Sequence, residues 1–180
     1  MHERRFSGGV ERLRSPERIV VLDIDNVVKL SLEGIEVKSL LDIGTGSGLF
    51  AEEFSKHNIE VSGIDVSEEM IEAAKSYIPN GDFKKAIAEE IPFEDKCFDV
   101  SFFGVVFHET DDMLKALREA HRVTKTRVLI LEWPYKTGEY GPPLEHRIKP
   151  ELMNKLIKEA GFIKYDKLGL KNLDLYRLNI

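Results

Sequence analysis

The chain has 180 residues, 42% of them hydrophobic and 32% charged, and carries a net charge of −6. This is enough for one domain with a full core, and the acidic balance argues against a broad electrostatic grip on nucleic acid. No apolar run approaches the ~20 residues that span a bilayer, and the charged first stretch does not read as a secretory leader.

Residues 1–14, with Arg4, Arg5, Arg12 and Arg14 among few apolar neighbours, read as a solvated arm or as a cover over a ligand. Ser15-Pro16-Glu17-Arg18 starts a helix, with Ser15 as N-cap and Pro16 in the first turn. A second short helix is expected over 25–32, ending at Gly34. From Val37 strands and helices alternate: strand 38–43, helix 48–57, strand 59–64, then a helix to Tyr77 capped by Ser67 and charged by Glu68 and Glu69. Pro79-Asn80-Gly81 is a turn and 83–88 a short strand. A fourth strand, 97–104, leads to an amphipathic helix, 111–122, with Met113, Leu114, Leu117, Ala120 and Val123 inward. The nearly all-apolar run 127–131 is a fifth, central strand. Residues 133–149 hold three prolines and two tyrosines, a loop long enough to be functional or disordered. Helix 150–160 stops at Gly161. Strands 162–168 and 172–179 have no helix between them and must pair as a hairpin, which reverses one strand of an otherwise parallel sheet. The order specifies one α/β domain over 1–180, with 1–34 as its N-terminal arm and helices.

The stretch Leu40-Leu41-Asp42-Ile43-Gly44-Thr45-Gly46-Ser47-Gly48-Leu49-Phe50 organises the rest. A buried strand, a glycine turn and a helix open a nucleotide-binding unit, with helix N–H groups aimed into a crevice. Asp65 ends the second strand about 20 residues beyond the first glycine, where an acid can accept hydrogen bonds from both ribose hydroxyls; the alternative is that it only caps the helix at Ser67. The glycine spacing departs from a dinucleotide fingerprint, and a ligand with an amino-acid tail fits such a turn better than a pyrophosphate. No Gly-Lys-Ser/Thr follows, which argues against a P-loop.

Four blocks carry a resemblance over about residues 35–180: the glycine stretch, Gly63-Ile64-Asp65-Val66-Ser67-Glu68-Glu69-Met70, Ala88-Glu89-Glu90-Ile91-Pro92-Phe93 leading into Phe98-Asp99-Val100, and Glu159-Ala160-Gly161-Phe162. The chain resembles the class I S-adenosylmethionine-dependent methyltransferases, most of all the small-molecule branch that includes the ubiquinone and menaquinone biosynthesis enzymes. The resemblance implies a doubly wound, mostly parallel seven-stranded sheet with one antiparallel strand near the C-terminus. It also implies S-adenosylmethionine as cofactor, S-adenosylhomocysteine as product and a small-molecule acceptor. Asp42 would orient the methionine amino group; Gly44, Thr45, Gly46 and Gly48 would form the turn that the amino-acid tail approaches. Asp65 would hold the ribose, Val66 and Met70 would pack on the adenine, Ala88 and Glu89 would sit at its edge, and Gly104 would offer its carbonyl near the amine. Ile87 stands where the family often has an Asp for the adenine amine, so backbone groups or Glu89 must recognise the base.

Methyl transfer from a sulfonium needs alignment and water exclusion more than acid or base. His108, just beyond the fourth strand, is the chemical candidate, as a base or as a pocket wall. Glu132 ends the fifth strand and reads as a ligand for a substrate hydroxyl or amine, or as a solvated carboxylate. Tyr135, Tyr140, His146 and Arg147 would form the substrate side of a loop stiffened by Gly141-Pro142-Pro143, with His146-Arg147 binding an anionic group or forming an ordinary surface pair. Cys97 reads as a small buried strand residue, and as the single cysteine it excludes an internal disulfide and suits a reducing cytoplasm. No metal site is expected. Phe103-Gly104-Val105-Val106 replaces the Asn/Asp-Pro-Pro-aromatic turn of amide and base-amine methylating enzymes, which disfavours methylation of DNA bases. Glutamine is absent while Glu and Lys abound, which points to a heat-adapted source. A binding protein without turnover and a nicotinamide-dependent oxidoreductase are the alternatives, the latter opposed by the glycine spacing.

Overall fold

The computed structural model describes residues 9–180; the arginines Arg4 and Arg5 of the expected arm lie outside them. Three short helices come first, α1 (Val10–Leu13), α2 (Pro16–Leu22) and α3 (Ile24–Leu32). Ser15 caps α2 as its sequence predicts, its hydroxyl accepting the Arg18 N–H at 3.3 Å. The alternating unit follows: β1 (Ser39–Ile43), α4 (Leu49–Ser55), β2 (Glu60–Asp65), α5 (Glu68–Tyr77), β3 (Asp82–Lys85), β4 (Phe98–Gly104), α6 (Met113–Val123), β5 (Thr124–Glu132), α7 (Pro150–Glu159), β6 (Lys164–Gly169) and β7 (Asp174–Asn179).

The seven strands are ordered β3-β2-β1-β4-β5-β7-β6. Only β7 is reversed, pairing antiparallel with both β5 and β6, as the terminal hairpin requires. Alternate residues of β5 feed opposite faces of the sheet. Leu129 and Leu131 pack on the side covered by α3, α4 and α5; Val128 and Ile130 pack on the side covered by α6 and α7. Burial on both faces is why that strand reads as an unbroken apolar run. Strand order reverses direction between β1 and β4, and a crevice opens there beyond the carboxyl ends of the strands.

The two ends of the chain hold each other. Arg127, 8% exposed, donates to Asn179 Oδ1 at 3.0 Å and to the Ser31 and Glu33 carbonyls at 3.2 and 3.0 Å, satisfying the open C-terminal carbonyls of α3. Arg177 donates to the Leu30 carbonyl at 3.1 Å and to Glu33, and Asn172 donates to the Val21 carbonyl at 3.0 Å. Among the described residues, no helix is long and apolar enough to cross a membrane.

Candidate active site

The turn after β1 is tied to the end of β2 by its own backbone. Gly44 and Thr45 N–H both donate to the Ile64 carbonyl, at 2.8 and 2.9 Å. Gly46 N–H donates to Asp65 Oδ2 and Ser67 N–H to Asp65 Oδ1, each at 2.9 Å. Asp65 therefore clamps the glycine corner to the start of α5, where Ser67 caps Met70 N–H.

The three glycines have different reasons to be glycine. All adopt positive φ, +71° at Gly44, +53° at Gly46 and +77° at Gly48. A Cβ on Gly44 would lie 2.6 Å from Val106 Cγ2, and one on Gly48 would lie 3.1 Å from Ala74 Cβ. Val106 fills the space that a Gly44 side chain would take, while the Gly44 backbone still lines the cleft. Gly46 also faces the cleft, with Leu13 Cδ1 3.2 Å from where its Cβ would stand. The cleft is lined by Asp42, Gly44 to Ser47, Leu49, Phe50 and Gly104, and from the N-terminal helices by Leu13, Arg18 and Leu22.

Asp42, 2% exposed, is held by Thr45, whose hydroxyl donates to Oδ2 at 2.8 Å. Burial pushes its carboxyl from the ordinary 3.8 up to about 7, with the Asp65 charge adding and the Thr45 hydrogen bond opposing. Ser47, 1% exposed, has no hydrogen-bond partner for its hydroxyl.

Beyond β4, Val105 takes φ +56°, a costly conformation for a β-branched residue. The kink seats Val106 against Gly44 and starts the turn Phe107–Glu109. There His108, 4% exposed, meets the end of β5. Its Nδ1 lies 2.9 and 3.0 Å from Glu132 Oε1 and Oε2, and its main-chain N–H donates to Oε1 at 3.0 Å. Trp133 N–H donates to Oε2 at 3.1 Å. Glu109 Oε1 lies 3.8 Å from His108 Nε2. The carboxylate fixes the imidazole tautomer with the proton on Nδ1.

Residues 41–131 match the family described as methyltransferase domain. The chain belongs to that family. It is 38% identical over 139 residues to an uncharacterized methyltransferase, YcgJ, of Bacillus subtilis, covering 72% of this chain and 52% of that protein. It is 36% identical over 95 residues to a demethylmenaquinone methyltransferase of Chlorobaculum tepidum, covering 52% of this chain and 39% of the relative. The chain thus spans about half the length, or less, of these curated relatives. A crystal structure of a SAM-dependent methyltransferase from Aquifex aeolicus superposes with a TM-score of 0.83 at 27% identity, covering 94% of this chain and 96% of that one.

Within this methyltransferase domain, several residues stand elsewhere than their sequence positions suggest. Glu132 is 3% exposed and accepts hydrogen bonds from His108 and Trp133, so it is not a solvated carboxylate. Arg147 is likewise no anion site. Its guanidinium donates to the Pro142, Pro134, Lys136 and Tyr140 carbonyls at 2.9, 3.1, 2.7 and 2.6 Å, stapling the 133–149 loop from within. Tyr135, Tyr140 and His146 do not line the cleft; the two tyrosines are exposed on that loop, and Lys149 sits 5.9 Å over the Tyr135 ring. Glu89, 8% exposed, accepts the Asp112 N–H at 3.0 Å and so anchors the start of α6. Val66 and Ile87 are exposed aliphatics one and two residues past the paired ends of β2 and β3, next to half-buried Met70 and Ala88. Gly104 is a packing glycine as well as a cleft residue, since a Cβ there would meet Phe102 and Phe50 within 3 Å. Cys97 precedes β4 and is half-buried, and burial raises its thiol pKa. Arg18 and Ser47 escaped the sequence reading. A serine inside a glycine turn was a usable signal; nothing in the sequence brings α2 to that turn.

Proposed function

We propose that the protein transfers a methyl group from S-adenosylmethionine to a small-molecule acceptor. The observation that carries this is Asp65 at the carboxyl end of β2, whose two oxygens accept from Ser67 and from Gly46, a residue of the cleft wall. The cleft chemistry fits the cofactor. Asp42 is a buried acceptor for an ammonium, and Ser47 offers a buried hydroxyl without a protein partner. The Asp65 carboxylate suits a ribose diol, and Val66 with Ile87 gives an apolar lip for the adenine. Helices α1 and α2 form the cover, with Leu13 against Gly46.

S-adenosylmethionine supplies an electrophilic methyl on a sulfonium. Transfer of that methyl to the acceptor atom would leave the carbon–sulfur electron pair on sulfur. His108 takes the acceptor's proton at Nε2. Glu132 at Nδ1 and Glu109 near Nε2 stabilise the resulting imidazolium. At 4% exposure, His108 meets an acceptor only after side chains around it move aside, and the same burial keeps water out. A cytoplasmic setting suits the single cysteine, Cys97.

Calorimetry with S-adenosylhomocysteine and with NAD tests the cofactor half: the former should bind and the latter should not. Methyl transfer from labelled cofactor to a metabolite extract tests turnover; tight binding with no labelled product would leave a binding protein.

A further inference from the structure

Among the described residues the sheet ends in two open edges, β3 and β6. β3 is four residues long, whereas β6 spans six and pairs with β7 on its inner side. Lys164, Asp166, Lys167 and Gly169 of β6 are exposed. The outward N–H and C=O groups of such an edge can take up another strand, and edge lysines normally discourage it. Here two lysines flank an acid, and the charges are unevenly matched. Arg177 is shared between Asp166, at 2.9 Å from Oδ1, and Glu33, at 2.8 Å, so two carboxylates face one guanidinium. Lys164 lies on the same face as Asp166, since side chains two apart in a strand do, and has no counter-ion among the described residues. Tyr165 points the other way, its hydroxyl donating to Asn154 Oδ1 on α7 at 2.8 Å. Ile163, just before the strand, is 92% exposed.

We propose that β6 docks a second copy of this chain, the two β6 strands pairing antiparallel about a two-fold axis centred on Tyr165. Residues opposed across a continuous sheet share a face, and faces alternate along a strand. A two-fold pairing of one strand with itself must therefore be centred on a residue. A centre on Lys164, Asp166 or Lys167 sets like charges directly opposite, which is destabilising. A centre on Leu168 forms no charge pair and runs into the β6–β7 turn, where the Leu170 N–H already donates to the Leu173 carbonyl at 2.7 Å. The centre on Tyr165 sets each Lys164 opposite the second copy's Asp166, which supplies the cation that the Asp166–Arg177–Glu33 group lacks. It also sets the two Tyr165 rings side by side and Ile163 against the aliphatic stem of Lys167. The contact is isologous and closed, so it stops at two copies. β6 lies beyond β5 and β7 from the crevice between β1 and β4, so pairing leaves each crevice open and does not depend on the methyl-transfer reading.

The test is sedimentation equilibrium of the full chain between about 1 and about 200 μM, which should show a monomer–dimer equilibrium. Lys164→Asp should raise the dissociation constant about tenfold or more, because two like-charge pairs replace two opposite ones. Register is read by oxidation in a Cys97→Ala background. Tyr165→Cys should form a disulfide-linked dimer across the axis. Lys167→Cys, about 13 Å from its counterpart in this register, is beyond disulfide reach and should not. A chain that stays monomeric over the whole range overturns the proposal. So does a Lys164→Asp dimer as tight as the wild type, or cross-linking at Lys167→Cys that equals or exceeds that at Tyr165→Cys.

Discussion

With the cofactor's ammonium on Asp42, as proposed, binding should be a proton-linked event. In the free protein its carboxyl is pushed up to about 7 from 3.8, chiefly by burial. At 1.36 kcal/mol per decade this opposes ionisation by on the order of 4 kcal/mol. The folded-state pKa lies above the unfolded one, so the stabilising contribution is complete below about pH 4 and is lost as pH rises toward about 7. An ammonium docked on Asp42 reverses the preference and holds the carboxylate ionised. Affinity for S-adenosylhomocysteine should then be level above about pH 7 and fall roughly tenfold per unit below it, about a hundredfold between pH 7 and pH 5. Asp42→Asn should abolish this slope and weaken binding at pH 8 by about 1.5–3 kcal/mol, the usual loss for a charge-assisted hydrogen bond. Calorimetry between pH 5 and 8, repeated in buffers of different ionisation enthalpy, reads both the affinity and the proton released. A flat wild-type profile, or the same slope in Asp42→Asn, would refute the reasoning.

Glu132→Gln puts an amide N–H where the His108 or Trp133 N–H now donates, and should cost about 1–3 kcal/mol in urea unfolding; a change under about 0.5 kcal/mol would show that the pair is not structurally coupled. Arg147→Met leaves four carbonyls without their donor, so cleavage between 134 and 147 by a dilute protease should accelerate while S-adenosylhomocysteine affinity holds. Gly44→Ala meets both its φ of +71° and a 2.6 Å contact with Val106, and should destabilise by at least about 1 kcal/mol. Adding Val106→Ala should recover the steric part alone, giving a coupling of about 0.5–3 kcal/mol in a double-mutant cycle.

Where local chemistry decides structure, the sequence was readable. Ser15 and Ser67 cap the helices they precede, and the missing helix between the last two strands forced the hairpin that reverses β7. β5 begins at Thr124, three residues earlier than its apolar run suggests, because α6 ends at Val123 with no loop between. Thr124 Oγ1 bonds the Ala120 carbonyl and Ser101 Oγ there, so polar side chains occupy a buried strand. The place of Asp65 at the end of β2 was legible because its spacing from Gly44 is local to one βα unit; its bond to Ser67 N–H is the contact that the helix-start alternative expects. Glu132 was not: its partner His108 lies 24 positions away and meets it only because β4 and β5 are neighbours. Arg147 was misread because an Arg in a loop looks the same whether its fork meets a ligand or the loop's own carbonyls.

The mutual grip of the chain ends bears on what can be excised. A fragment trimmed to residues 41–131, the span that defines the family, would discard β7 and lay bare the hydrogen-bonding rim of β5, whose inner residues are entirely aliphatic. Such a rim is a template for strand addition by other molecules. It would also strip Arg127 of Ser31, Glu33 and Asn179, leaving a desolvated cation unmatched. The recurring module in this protein is thus a sticky intermediate layer, sealed by flanks that lie outside residues 41–131.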